Sequence, residues 1–185
     1  KGVESDLKAT KLVDGSVFVD WTLTVPEGLP PIPRVGLTFT VPKGAADVSW
    51  YGLGPWENYS DRSTAAILGV YQAGIGLVSG IADAGTGTIA YSENRLNPDN
   101  YIEPGEQGYR TGVRWLQIGG VGIRAVNAPF GFNVWPYSQS ALEAARHQWD
   151  LKEDDELTVN IDAVQMGVGG DDSWGARPHA PYMPG

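Results

Sequence analysis

The chain has 185 residues, 42% hydrophobic and 10% aromatic, enough for one sizeable core and short for two, so a single domain over residues 1–185 is expected. A formal net charge of −9 argues against a nucleic-acid partner, which is bound by neutralising phosphates with Lys and Arg, and against an anionic membrane surface. The absence of cysteine excludes disulfides, thiolate metal sites and a cysteine nucleophile, and leaves the compartment open.

Period-two alternation begins with Val17, Val19, Trp21, Leu23 and Val25 on one face and Asp20, Thr22 and Thr24 on the other, which predicts a half-buried strand. Asp14-Gly15 before it is a hairpin turn signal, pairing the strand with one around Thr10 to Val13. Further strands are predicted at Val35 to Val41, Val48 to Trp50, Ile75 to Ile81, Val113 to Ile118, Val121 to Val126, Phe130 to Trp135 and Leu157 to Ile161. Glycine or proline separates most of these runs, and alternating helices are missing, so the class is all-β, a sandwich or barrel. One short helix is expected, capped at Ser140 and running through AARHQ with Leu142, Ala145 and Trp149 at helical spacing. No apolar run approaches the ~20 residues of a membrane span, so the sequence reads as soluble with no membrane partner.

Isolated motifs carry little chemistry. Glu57, Glu103, Asp171 and Asp172 lie in glycine- or proline-rich loops where a glycosidase pair is conceivable, but loop acids ordinarily accept backbone N–H bonds or face water. His147 and His179 are not in a ligand spacing, and His147 is expected on the helix or at its end. No GxSxG elbow places a nucleophilic serine. The glycines of Gly167 to Gly170 lack a lysine and precede Asp171 and Asp172, whose charges would repel a phosphate. Asn58-Tyr59-Ser60 fits a glycosylation sequon, a match short enough to arise by chance.

Four ordered blocks are more specific: WYGLGPWENYSDR (50–62), YIEPGEQGYRTGVRWL (101–116), FNVWPYSQSAL (132–142) and NIDAVQMGVGGDDSW (160–174). Together they resemble the C-terminal β-sandwich domain of bacterial β-galactosidases of glycoside hydrolase family two. The resemblance implies a large antiparallel β-sandwich of the galactose-mutarotase-like type, present as a fragment without its first and last strands. It implies a full enzyme, homo-oligomeric and retaining, whose catalytic glutamates sit on a TIM-barrel domain. That barrel needs about 250 residues of alternating βα units, so no catalytic residue is expected in this chain.

The family's magnesium and sodium belong to other domains, and no cofactor or metal is assigned here. In the family the tryptophan of GGDDSW forms a wall of the sugar site, which makes Trp174 the expected galactoside contact. Gly167, Gly169 and Gly170 are then expected to permit the loop's backbone angles, and Asp171, Asp172 and Ser173 to bond local amides and fix it. The first block is expected to be a corner with Trp56 and Tyr59 as an aromatic pair and Glu57, Asp61 and Arg62 in an ion-paired loop; Glu103, Arg110 and Arg114 are expected in a polar network, the two arginines on one strand face. A sugar cleft of its own, as in mutarotases, would need a histidine base that the sequence does not supply. Two functions follow: an accessory domain completing a β-galactosidase pocket, or a stand-alone carbohydrate-binding module or separate non-catalytic small subunit.

Overall fold

The computed structural model describes residues 2–44, 47–74, 79–82, 88–92, 106 and 108–184. Glu103 and residues 75–78 of the predicted strand Ile75 to Ile81 lie outside them. The chain forms two compact units, Lys1–Ile32 and Pro33–Gly185.

The first unit is an antiparallel hairpin of β1 (Glu4–Lys11) and β2 (Val17–Thr24). Its turn lies where Asp14-Gly15 was expected: Gly15 has a φ of 88°, and Asp14 Oδ1 accepts from the Ser16 amide at 3.0 Å. The first strand starts earlier than the alternation indicated, at Glu4, because Ser5, Leu7 and Ala9 face Leu23, Trp21 and Val19 across the ladder. Half-burial holds only at one end of the apolar face. Trp21 and Leu23 are partly covered, whereas Val17 and Val19 remain 57% and 45% exposed. A two-stranded ribbon has no second layer of its own with which to cover such a face.

The second unit is an all-β sandwich. One sheet contains β4 (Asp47–Gly54), β5 (Ile67–Gly74), β6 (Ser79–Ala82), β7 (Thr88–Ser92), β9 (Trp115–Ile118) and β10 (Val121–Arg124), in the order β10-β9-β4-β5-β7-β6. The other contains β3 (Arg34–Pro42), β8 (Arg110–Val113), β11 (Phe130–Trp135) and β12 (Glu156–Gln165), in the order β3-β12-β11-β8. Every pairing is antiparallel except β5 with β7.

Alternate residues from both sheets meet in one core, with Trp50 and Tyr71 against Phe132 and Val159. The Trp50 and Phe132 rings cross nearly edge to face at 5.6 Å, a geometry that suits their quadrupoles. β11 is buried along its whole length, so its alternation separates two clusters: Phe132 and Val134 enter the sandwich, while Trp135 joins Tyr137 and Leu142 in a second one.

Leu142 belongs to the short helix α1 (Gln139–Ala144). The cap is Ser138, not the expected Ser140: the Ser138 hydroxyl accepts from the Ala141 amide at 3.3 Å. The helix also stops short of Trp149. Asp150 accepts from the Arg146 and His147 amides at 3.2 and 3.0 Å, which closes a separate 3-10 turn over Gln148–Asp150. Trp149 is therefore 79% exposed, stacked on His147 with ring centroids 4.5 Å apart, and not on the helix's buried face. Ser138→Ala is expected to lower stability by about 1 kcal/mol, read as a shift in the urea midpoint at unchanged slope.

Arg110 and Arg114 do not share a face. Gly112 between them takes a φ of 64°, which breaks the alternation where the chain passes from one sheet to the other. Arg110 is buried with its guanidinium 5.5 Å from the Trp50 ring centroid, and Arg114 lies 5.5 Å from that of Tyr51. Trp50 and Tyr51 are neighbours in β4 and point to opposite sides.

Candidate functional site

The last strand, β12, leads into a loop that closes on itself. The Gly167 amide donates to the Tyr182 carbonyl at 2.8 Å, just before which the chain makes a 3-10 turn over Ala180–Tyr182. At the loop's base the Asp61 carboxylate accepts from the Val168 amide at 3.0 Å and the Gly169 amide at 2.8 Å. A Cβ on Gly167 would lie 2.3 Å from an Asp61 oxygen, so only glycine lets the backbone come this close. Gly169 and Gly170 then take φ of 68° and 111°, angles that ordinary side chains resist.

The tip is held by its two acids in different ways. Asp172 Oδ1 accepts from the Trp174 amide at 2.8 Å and the Ala176 amide at 3.1 Å, an Asx-type turn that fixes the tryptophan's backbone. The Trp174 amide, followed by that of Ala176, holds this carboxyl below the usual carboxylate range. Asp171 bonds no amide among the described residues; it pairs with the His179 imidazole across the loop. That hydrogen bond, and then the Asp171 charge, raises the His179 pKa above 6.5. Ser173 makes no side-chain hydrogen bond among the described residues. Trp174 stands 92% exposed on this tied backbone.

Asp61 is placed by the first sequence block. Tyr59 and Arg62 exchange backbone hydrogen bonds at 3.1 and 3.0 Å, and Glu57 pairs with Arg62. Glu57 also accepts from the Gly108 amide at 2.7 Å, and Asn58 Oδ1 accepts from Thr111 N at 3.0 Å and Thr111 Oγ1 at 2.5 Å. Asn58 is 1% exposed and wholly engaged in this bracing, which argues against the sequon as a sugar acceptor. Asp61 stands apart from the Glu57–Arg62 pair and supports the distant loop. Trp56 is 58% exposed, and the aromatic partner of buried Tyr59 is Tyr109, stacked at 5.6 Å.

Beneath the loop lies a polar cluster that sequence patterning does not reveal. Asp162 is 1% exposed and accepts from Arg34 Nε at 2.8 Å, while Arg34 also reaches Glu106 at 3.5 Å. The Tyr109 ring lies beside the same ion pair, 5.7 Å from the Arg34 guanidinium. In the ladder Asp162 sits between Gly131 and Gly36, and Cβ atoms there would lie 2.0 Å from the Tyr109 hydroxyl and 1.9 Å from Asp162 Oδ1. The two glycines clear the volume that the ring and carboxylate fill. A second chain of bonds runs from Thr38 to Asn160 at 2.7 Å, Asn160 to Asn133 at 2.7 Å and Asn133 to Glu106 at 3.0 Å. Burial pushes both the Asp162 and the Glu106 carboxyls up, opposed in each case by Arg34. Among the described residues no cluster of three metal-ligating side chains is present.

A family model described as "Beta galactosidase small chain" matches residues 4–77 and 91–184. The chain belongs to the β-galactosidase small-chain family. Its relatives include a β-galactosidase of Vibrio vulnificus, 36% identical over 172 residues, covering 92% of this chain and 14% of the relative. A β-galactosidase of Halalkalibacterium halodurans is 35% identical over 189 residues, covering 98% of this chain and 17% of the relative. One from Priestia megaterium is 35% identical over 173 residues, covering 91% and 15%. The chain thus spans 14% to 17% of the length of these curated relatives and corresponds to a small domain of a large enzyme. The first sequence block bonds two others, the second through Glu57 and the Gly108 amide and the fourth through Asp61 at the base of the Trp174 loop.

Proposed function

We propose that this domain completes the sugar pocket of a β-galactosidase that hydrolyses terminal non-reducing β-D-galactosides, with Trp174 as the contact it supplies. The observation that carries the reading is a tryptophan 92% exposed on a loop whose backbone is fixed by Asp61 and Asp172. Exposing an indole while ordering its support is unfavourable for the domain alone and useful when a partner surface brings an apolar ligand face. The C–H face of a pyranose meets that description. Asp171, Asp172, Gly169 and Gly170 act as supports, and catalytic carboxylates of the retaining type belong to a barrel domain outside residues 1–185. Magnesium and sodium, where the parent enzyme uses them, also belong outside this domain.

The test is activity by residues 1–185 alone. The purified chain is expected to release no chromophore from a chromogenic β-galactoside, while the whole enzyme turns it over. Turnover by the rigorously purified chain, abolished by replacing one of its own acids, would overturn the assignment.

A second reading is favoured by the words "small chain" in the family description: a separately encoded non-catalytic subunit that binds a large chain. The mass of the native polypeptide carrying this sequence distinguishes the two. A mass near 19.8 kDa supports the subunit, and a several-fold larger one supports the fused accessory domain.

A further inference from the structure

The structure points to a second determinant of galactoside engagement that never touches the sugar: we propose that the Asp171–His179 pair is a clasp that positions Trp174. The inference rests on the reading of Trp174 as the sugar contact.

Besides the Gly167–Tyr182 backbone bond that closes the loop, three side-chain ties hold it, and they differ in kind. Asp61 grips its entry through the Val168 and Gly169 amides, and Asp172 grips the tip through the Trp174 and Ala176 amides. Both are acceptors for N–H groups that never lose their protons. The third tie spans the loop from Asp171, before Trp174, to His179, after it, and involves a group that titrates near neutrality. Gly170 and Gly175, with φ of 111° and 93° and open space where a Cβ would lie, flank the tip and offer little resistance to its swinging. Of the three, the Asp171–His179 tie is therefore the one whose strength changes near neutral pH.

The charged groups facing His179 are Asp171 on its own loop and Asp61 on the supporting one, and both favour the imidazolium. The sign follows. A raised imidazole pKa in the ordered loop means that the clasp has its full charge-assisted strength below pH 6.5 and weakens as pH rises through the raised value, where at most a neutral N–H bond is left. An exposed, solvent-screened pair of this kind is a weak tie, so the change expected in a binding constant is at most about fivefold.

The experiment uses the full-length β-galactosidase carrying this domain, with KM and kcat for a chromogenic β-galactoside measured across the imidazole range. His179→Ala is expected to raise KM about twofold to fivefold on the acid side, with kcat little changed, and to have a clearly smaller effect on the alkaline side. His179→Lys, which keeps a cation opposite Asp171 at higher pH, is expected to restore the low KM and hold it over the alkaline arm. In a Trp174→Ala background, His179→Ala is expected to have no further effect. A His179→Ala enzyme with unchanged KM, beside a Trp174→Ala enzyme with raised KM, overturns the clasp and leaves the sugar contact standing. An equal His179→Ala effect with and without Trp174 also overturns it. If Trp174→Ala itself changes nothing, the underlying site reading has failed and the clasp falls with it.

Discussion

Asp162→Ala is expected to destabilise the domain by about 3 kcal/mol, at the lower end of what breaking a buried ion pair costs. The carboxylate is fully buried, so its removal leaves a cavity, and it strips Arg34 of a bond at 2.8 Å. The remaining acid, Glu106, lies 3.5 Å from Arg34 and also serves Asn133. The cost stays near the lower limit because the Arg34 side chain is 22% exposed and water recovers part of its solvation. Asp162→Asn should cost less, since its amide oxygen still accepts from Arg34. Guanidinium unfolding followed by tryptophan fluorescence measures both, and an unchanged midpoint for Asp162→Ala would show that the cluster contributes nothing net.

The same cluster sets a pH dependence. Asp162 and Glu106 bind a proton more tightly when folded than unfolded, because burial penalises their charged forms. Their joint contribution is therefore most favourable at low pH and diminishes as pH rises through the raised folded values. His179 acts in the same direction on the loop alone, over a higher pH range.

Much of the sandwich is legible as alternation, because a strand in a two-layer structure must place every second residue in the core. Val35, Leu37, Phe39 and Val41 sit in β3, and Phe130 to Trp135 is β11 without adjustment. What alternation cannot carry is a local exception. Gly112 puts Arg110 and Arg114 on opposite sides, and an αL glycine within a strand pattern looks the same in sequence as an ordinary one. The local capping-box pattern points to Ser140, yet Ser138 caps the helix, and the cluster of Leu142 with Trp135 and Tyr137 is a tertiary feature that the pattern does not contain.

The Trp174 loop divides along the same line. Its glycines and the Asx turn of Asp172 are local and can be read from GGDDSW. Asp61, which holds the loop from 107 positions away in sequence, has no local signal because its partners are backbone amides. Arg34, Glu106 and Tyr109 likewise carry no local signal: each looks like an ordinary loop or strand-end residue until β3, β12, β11 and β8 are side by side and the segment before β8 reaches Arg34 and Asp162. His179 is the informative case. A lone histidine near the loop's end gave no reason to pair it with Asp171 rather than with solvent, and only the loop's closure through Gly167 and Tyr182 brings the two together.

The second large effect concerns Trp174. Its indole contributes little to the domain's own packing at 92% exposure, so Trp174→Ala should leave the unfolding midpoint unchanged. The cost should appear with substrate. An aromatic face on a sugar contributes about 0.5–1.5 kcal/mol beyond buried area, and loss of the whole ring about 1–2 kcal/mol, which is about 5- to 30-fold in kcat/KM. Trp174→Phe retains an aromatic face and should fall between the two. The separation of a silent stability effect from a kinetic one is what distinguishes a presented contact from a structural residue. The decisive measurement is kcat/KM of the full-length Trp174→Ala enzyme for galactosides with different aglycones: the account predicts a loss of about 5- to 30-fold with native stability, and kinetics unchanged for every galactoside would contradict it.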